Sequence, residues 1–127
     1  MFLALAAYEN KIASLFESSN NFVIIPAPSY NIQNSRRVRI ENNSTNILLQ
    51  LLKENQVGIL ICGAINKCIR RLLEAQGIQV IPWITGDITN VVEAFRSGNL
   101  NSSTFIMPGC RQKRYGRYRF RRGASYY

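Results

Sequence analysis

The chain has 127 residues, 46% of them hydrophobic and 18% charged, enough for one domain that buries roughly two-thirds of its unfolded surface. No window approaches the ~20 apolar residues that a membrane-spanning helix requires, and a histidine count of 0 excludes a His–carboxylate catalytic pair, a His metal ligand and a histidine pH switch. The net charge of +9 is unevenly placed: residues 1–109 hold nine Lys/Arg against seven Asp/Glu, whereas residues 110–127 hold seven Lys/Arg and no acid.

The first segment, MFLALAAY, lacks the basic n-region of a secretory signal and meets Glu9 and Asn10 at once. It reads as a strand covered on both faces, and the protein as cytoplasmic. YENK then turns the chain into KIASLF at residues 11–16, a second strand paired with the first. FVIIPAP at 22–28 is a third strand, ended by prolines. Three strands joined by short turns suggest an antiparallel meander.

The pattern then changes. NNSTNILLQLLKEN offers Asn43 or Ser44 as N-cap and sets Ile47, Leu48, Leu51 and Leu52 on one helical face. VGILI at 57–61 is a short buried strand, NKCIRRLLEAQG a helix stopping at Gly77, and IQVIPWI at 78–84 another strand. GDITNVVEAFRSG starts from an Asp87 cap, stripes Ile88, Val91, Val92 and Phe95, and stops at Gly98. Two strand–helix alternations call for parallel pairing with right-handed crossovers. The expected architecture is therefore α/β, order βββαβαβα, with a mixed five-stranded sheet in a three-layer ribonuclease H-like motif. Residues 1–98 form the domain; 99–127 read as a linker with one apolar patch and a basic tail, RQKRYGRYRFRRGASYY.

A ribonuclease H-like order raises the possibility of a nuclease. That chemistry needs converging carboxylates on two metal ions, one of them from the first strand, and FLALAAY carries no acid. A thiol enzyme would lack any histidine base for its nucleophile. The expectation is a protein that is not an enzyme.

Three cysteines without dense spacing suit a reducing compartment rather than a disulfide framework. Cys62 ends a parallel strand just before a helix, where ligands of open α/β sheets bind. The helix start would favour its thiolate; the bland alternative is a buried thiol filling space. Cys68 falls on the apolar stripe with Ile65, Ile69, Leu72 and Leu73 and reads as core, and C-x5-C is no recognised zinc or cluster spacing. Cys110 opens the tail and could reach back toward Cys62 or join another subunit. Trp83 reads as packing at a strand end or as a wall of the same cleft, and Arg70 and Arg71 as solvated helix charges.

Over residues 1–109, and most specifically ICGAINKCIRRLLEAQGIQVIPWITGDITNVVEAFRSGNL, the chain resembles the dinitrogenase iron–molybdenum cofactor biosynthesis family of nitrogenase accessory and cofactor-carrier proteins. The features carrying the resemblance are the Cys62-Gly63-Ala64 loop after a strand, the restart at Gly77-Ile78, and a final helix closing at Gly98. The terminal FIMPGC before a basic run looks like one subgroup. Where many members have His-Phe-Gly this chain has Leu15-Phe16-Glu17, and where others have Gly-Gly it has Cys62-Gly63. The resemblance implies a non-enzymatic carrier of an iron–sulfur or iron–molybdenum type metallocluster, with a cofactor-assembly or acceptor protein as partner. It implies a cluster cleft lined by Phe16, Gly63, Ala64 and Asn66, with Cys62 and Cys110 as metal ligands.

The tail interleaves arginines with Tyr118 and Phe120. Arginines neutralise phosphates and aromatics stack on unpaired bases, so the alternative reading is a binding module for nucleic acid, or for an acidic partner, through residues 111–127. A solvated charged tail is the plain reading of the same residues.

Overall fold

The computed structural model describes residues 2–27, 29–41, 44–98, 100 and 105–106. The elements run β1 (Phe2–Tyr8), β2 (Lys11–Ile12), β3 (Asn21–Pro26), β4 (Arg36–Arg39), α1 (Thr45–Glu54), β5 (Val57–Ile61), α2 (Lys67–Ala75), β6 (Gln79–Ile81) and α3 (Ile88–Ser97). They form a mixed α/β fold whose 6-stranded sheet has the order β4-β3-β1-β5-β6, with β2 pairing only with β1. β3 is antiparallel to β1 and β4 to β3, while β5 is parallel to β1 and β6 to β5.

The run FLALAAY is apolar throughout because β1 is central: it is buried from Leu3 to Ala7 and feeds both faces. Leu3, Leu5 and Ala7 join Val23, Ile25, Ile59, Ile61 and Ile81 on the face covered by Ile88, Val91 and Val92 of α3. Ala4 and Ala6 join Phe22, Ile24 and Leu60 on the face covered by Leu48, Leu51 and Leu52 of α1 and Leu73 of α2. Alternation of side chains along each strand splits the core into these two layers.

The sheet differs from the five expected strands in two places. The second strand pairs only at Lys11–Ile12. Ala13 N–H still donates to Ala6 O at 2.9 Å, Ser14 and Leu15 then run against the 62–66 loop, and Phe16–Ser18 closes into a 3-10 turn. The addition is β4, whose RRVR sequence hides its strand character: only Val38 is partly buried, and Arg36, Arg37 and Arg39 are exposed. An edge strand is stabilised on one side by backbone pairing and guarded by charge on the other, so hydrophobic alternation barely marks it.

Helix limits follow local chemistry. Ser44 holds the N-cap position of α1 and Asp87 that of α3, while Gly98 adopts the left-handed conformation (φ 82°) that ends α3. Asn43 lies outside the described residues. Ile47, expected on the buried stripe of α1, is 36% exposed at its margin. Beyond residue 98 the described residues pack against the domain. Leu100 and Ile106 enter the α3-side core, Ile106 pairs antiparallel with Ile84, and Thr85 N–H donates to Phe105 O at 2.8 Å. Among the described residues no helix is long and apolar enough to cross a membrane.

Candidate functional site: the strand-end loop at Cys62–Asn66

Residues 62–66 join β5 to α2 beyond the carboxyl ends of the parallel strands. Two neighbouring segments stitch this loop in place. On one side Ala64 N–H donates to Ser14 O and Phe16 N–H to Ala64 O, both at 2.8 Å. On the other, Trp83 N–H donates to Gly63 O at 2.9 Å and Ile84 N–H to Cys62 O at 3.0 Å. The loop thus continues the sheet between segments 13–16 and 81–84.

Gly63 is what permits the approach. A Cβ there would stand 2.5 Å from Ala13 O and 2.7 Å from Ser14 O, both backbone atoms that cannot swing aside. Phe16 lies fully buried beneath the loop, its ring edge-on to Phe22 at 5.9 Å between centroids. Phe16, Cys62, Gly63 and Ala64 are therefore brought together, with Phe16 buried and not open to a ligand. Asn66 stands exposed at the α2 N-cap, its Oδ1 accepting from Cys68 N–H at 2.7 Å and Ile69 N–H at 3.4 Å.

Cys62 is 0% exposed and packs with Ile65, Leu60 and Phe16. Burial pushes its thiol well above the ordinary value of 9.0; Arg70 opposes the shift and Glu17 adds to it. In this closed arrangement Cys62 is a protonated core thiol. Cys68, expected in the core, is instead exposed. The buried stripe of α2 centres on Ile69 and Leu73, so the positions one residue earlier in each turn, Cys68 and Leu72, fall on its flank, and Leu72 is 47% exposed. Cys110 and the basic segment 111–127 lie outside the described residues.

Three further features shape the site, and of these the sequence offered only Trp83, as a wall of the cleft. Glu17 accepts the Asn66 N–H at 3.3 Å, so a carboxylate and the Asn66 amide already occupy the positive end of α2 that an incoming anion would seek. Leu15 pairs with Ala64 and is 42% exposed, and Trp83 is 37% exposed with φ 65°. That conformation is an outlier for a bulky side chain, and here the Trp83–Gly63 hydrogen bond holds it. Contacts between distant segments create these features. Among the described residues no group of three or more His, Cys, Asp or Glu is placed to hold a metal ion.

The family described as "Dinitrogenase iron-molybdenum cofactor" matches residues 1–98. No curated protein sequence matches the chain. Solved structures share its fold. PH0822 superposes with a TM-score of 0.74 at 20% identity, covering 86% of this chain and 96% of its own. The apo form of the orange protein from Desulfovibrio gigas gives 0.65 at 18% identity, covering 85% and 92%. The MJ0327 protein from Methanocaldococcus jannaschii gives 0.62 at 20%, covering 78% and 90%.

Proposed function

The chain belongs to the dinitrogenase iron–molybdenum cofactor family, and on that premise we propose that it binds and delivers an iron–sulfur or iron–molybdenum type cluster without catalysing a reaction. The cluster is cargo, received from a cofactor-assembly protein and passed to an acceptor, in a cytoplasmic role accessory to nitrogen fixation or related cofactor traffic. The family match over residues 1–98 is the observation that carries this reading. A ribonuclease H-like sheet is the scaffold this reading assigns, in keeping with the antiparallel β1, β3 and β4 beside the parallel β1, β5 and β6.

The loading site in this proposal is the Cys62–Asn66 loop. Its geometry sets a condition. A thiolate is the form that ligates metal, and Cys62 is buried as the thiol. Ligation therefore requires the loop to lift from Ala13–Phe16, breaking the Ala64–Ser14 and Phe16–Ala64 hydrogen bonds. Ala64, Asn66, Leu15 and Trp83 form the rim that meets the cargo, Gly63 and Phe16 set how the loop closes, and Cys110 is the second thiolate assigned. A site that binds only when opened suits a protein that must release what it carries.

Anaerobic purification of the full chain, with visible absorbance and iron, sulfide and molybdenum analysis beside Cys62→Ser and Cys110→Ser, tests the proposal. The expected result is a coloured protein whose metal is lost in Cys62→Ser. A colourless protein that also refuses a chemically supplied cluster overturns the carrier reading. Metal retained in full by Cys62→Ser overturns the assigned ligand while leaving the carrier reading standing.

A further inference from the structure

On the opposite, α3-covered face of the sheet lies a cavity of about 600 Å³ between the β1–β2 turn, β4 and the first turn of α3. None of Phe16, Cys62, Gly63, Ala64 or Asn66 lines it. Its apolar wall includes Val23 and Ile88, both core residues. Its rim carries four charges drawn from three segments: Glu9 and Lys11 of the β1–β2 hairpin, Arg37 of β4 and Asp87 before α3.

Lys11 and Asp87 face each other across an antiparallel bridge, but their side chains form no ion pair. The ion pairs among the described residues are Arg70–Glu74 and Arg96–Glu93, and none joins two of the four rim charges. Arg37 is instead held in place by donating to the backbone carbonyl of Glu9 at 2.6 Å. That contact orients the guanidinium without consuming its charge. The turn itself is set by Glu9 at φ 55° and by Ile88 N–H donating to Asn10 O at 2.8 Å, which ties it to α3. Thr89 and Asn90 also line the wall. The position, beyond the carboxyl end of β1 and the loop after β6, is where ligands of open α/β sheets sit. The volume is within the roughly 300–1,000 Å³ of small-molecule clefts.

We propose that this cavity binds a small organic anion, a carboxylate or phosphate monoester on an apolar or planar body. The anionic group sits between Lys11 and Arg37, and the body lies against Val23 and Ile88. Glu9 and Asp87 limit the negative charge the rim accepts, and inorganic phosphate brings charge but no apolar surface to lay against Val23 and Ile88. The site is independent of the loop at Cys62.

Titration of the ¹⁵N-labelled full chain with phenyl phosphate, benzoate and inorganic phosphate, followed by amide shifts, tests this directly. Saturable shifts at Lys11, Ile88, Thr89 and Asn90 are expected, with phenyl phosphate or benzoate at least tenfold tighter than inorganic phosphate. Whichever of the two wins identifies the head group. Lys11→Met and Arg37→Met should each weaken binding severalfold and together at least tenfold, whereas Arg39→Met on the same strand should change it less than twofold. The same spectra report whether each variant is folded. Shifts confined to residues 111–127, equal affinity for inorganic phosphate, no saturable shift, or binding untouched by the double variant each overturn the site. None of these outcomes bears on metal content, so the carrier reading stands or falls separately.

Discussion

At the scale of single residues the two described cysteines separate sharply. Cys62 has no exposed surface and Cys68 is exposed. In a Cys110→Ser background, iodoacetamide near neutral pH should label Cys68 at the rate of an ordinary exposed thiol. Cys62 should react only as fast as its loop opens, and fully in denaturant. Peptide mapping after alkylation checks this, and rapid labelling of Cys62 in the folded protein would contradict its burial. The same burial makes stability depend on pH. A thiol whose folded value lies above its unfolded value of 9.0 holds its proton more tightly in the native state. Its contribution is therefore complete below about pH 9 and is lost as pH rises beyond it, at no more than about 1.4 kcal/mol per pH unit. Urea melts of the parent and Cys62→Ala between pH 8 and 11 should converge as pH rises, because the variant lacks that slope.

At the scale of elements, the strand-end loop rests on Gly63 and the edge strand on its pairing with β3. Gly63→Ala forces a methyl group into the Ala13 and Ser14 carbonyls. It should cost about 1–3 kcal/mol in urea denaturation and hasten Cys62 alkylation by loosening the loop that covers it. A purely global destabilisation would instead leave alkylation slow under native conditions, so the two readouts separate a local hinge from a general loss. β5 was legible in the sequence as a short apolar run, and α1, α2 and α3 because each carries a helical period: Leu48, Leu51 and Leu52 in α1, and Val91 and Val92 in α3, are buried as their spacing predicts. β4 was not legible. Its single inward Val38, flanked by arginines, gives no alternation to read, and its pairing with β3 supplies the stability that its side chains do not advertise.

At the scale of the whole molecule the sheet ranks its strands by protection. β1 has neighbours on both sides and helices on both faces, whereas β4 is paired only with β3. Native-state hydrogen exchange should find the amides of β1 and β5 opening only near global unfolding. Those of β4 and the 62–66 loop should exchange by cheaper, local openings. Equal protection of that loop and β1 would remove the route by which cargo is proposed to reach Cys62. Residues 100 and 105–106 should exchange with the α3 side of the domain, because Leu100 and Ile106 are part of that core and Ile106 pairs with Ile84.

The sequence by itself determined the α/β class, the alternation of strands and helices after residue 44, the two-sided burial of the first strand and the family over residues 1–98. These are repeated local signals, each written over several residues, and so survive without knowledge of the partner segment. Tertiary structure alone decided what the loop at Cys62 is. Its thiol is buried in the core layer on the α1 and α2 side, which includes Ala13 and Phe16 from a segment distant in sequence. Glu17 reaches the start of α2 from a distance of 49 residues. Cys68 is exposed because the sheet covers a narrower stripe of α2 than its apolar residues span. Accessibility and charge at a site are properties of what packs against it, and a linear pattern records only what a segment offers.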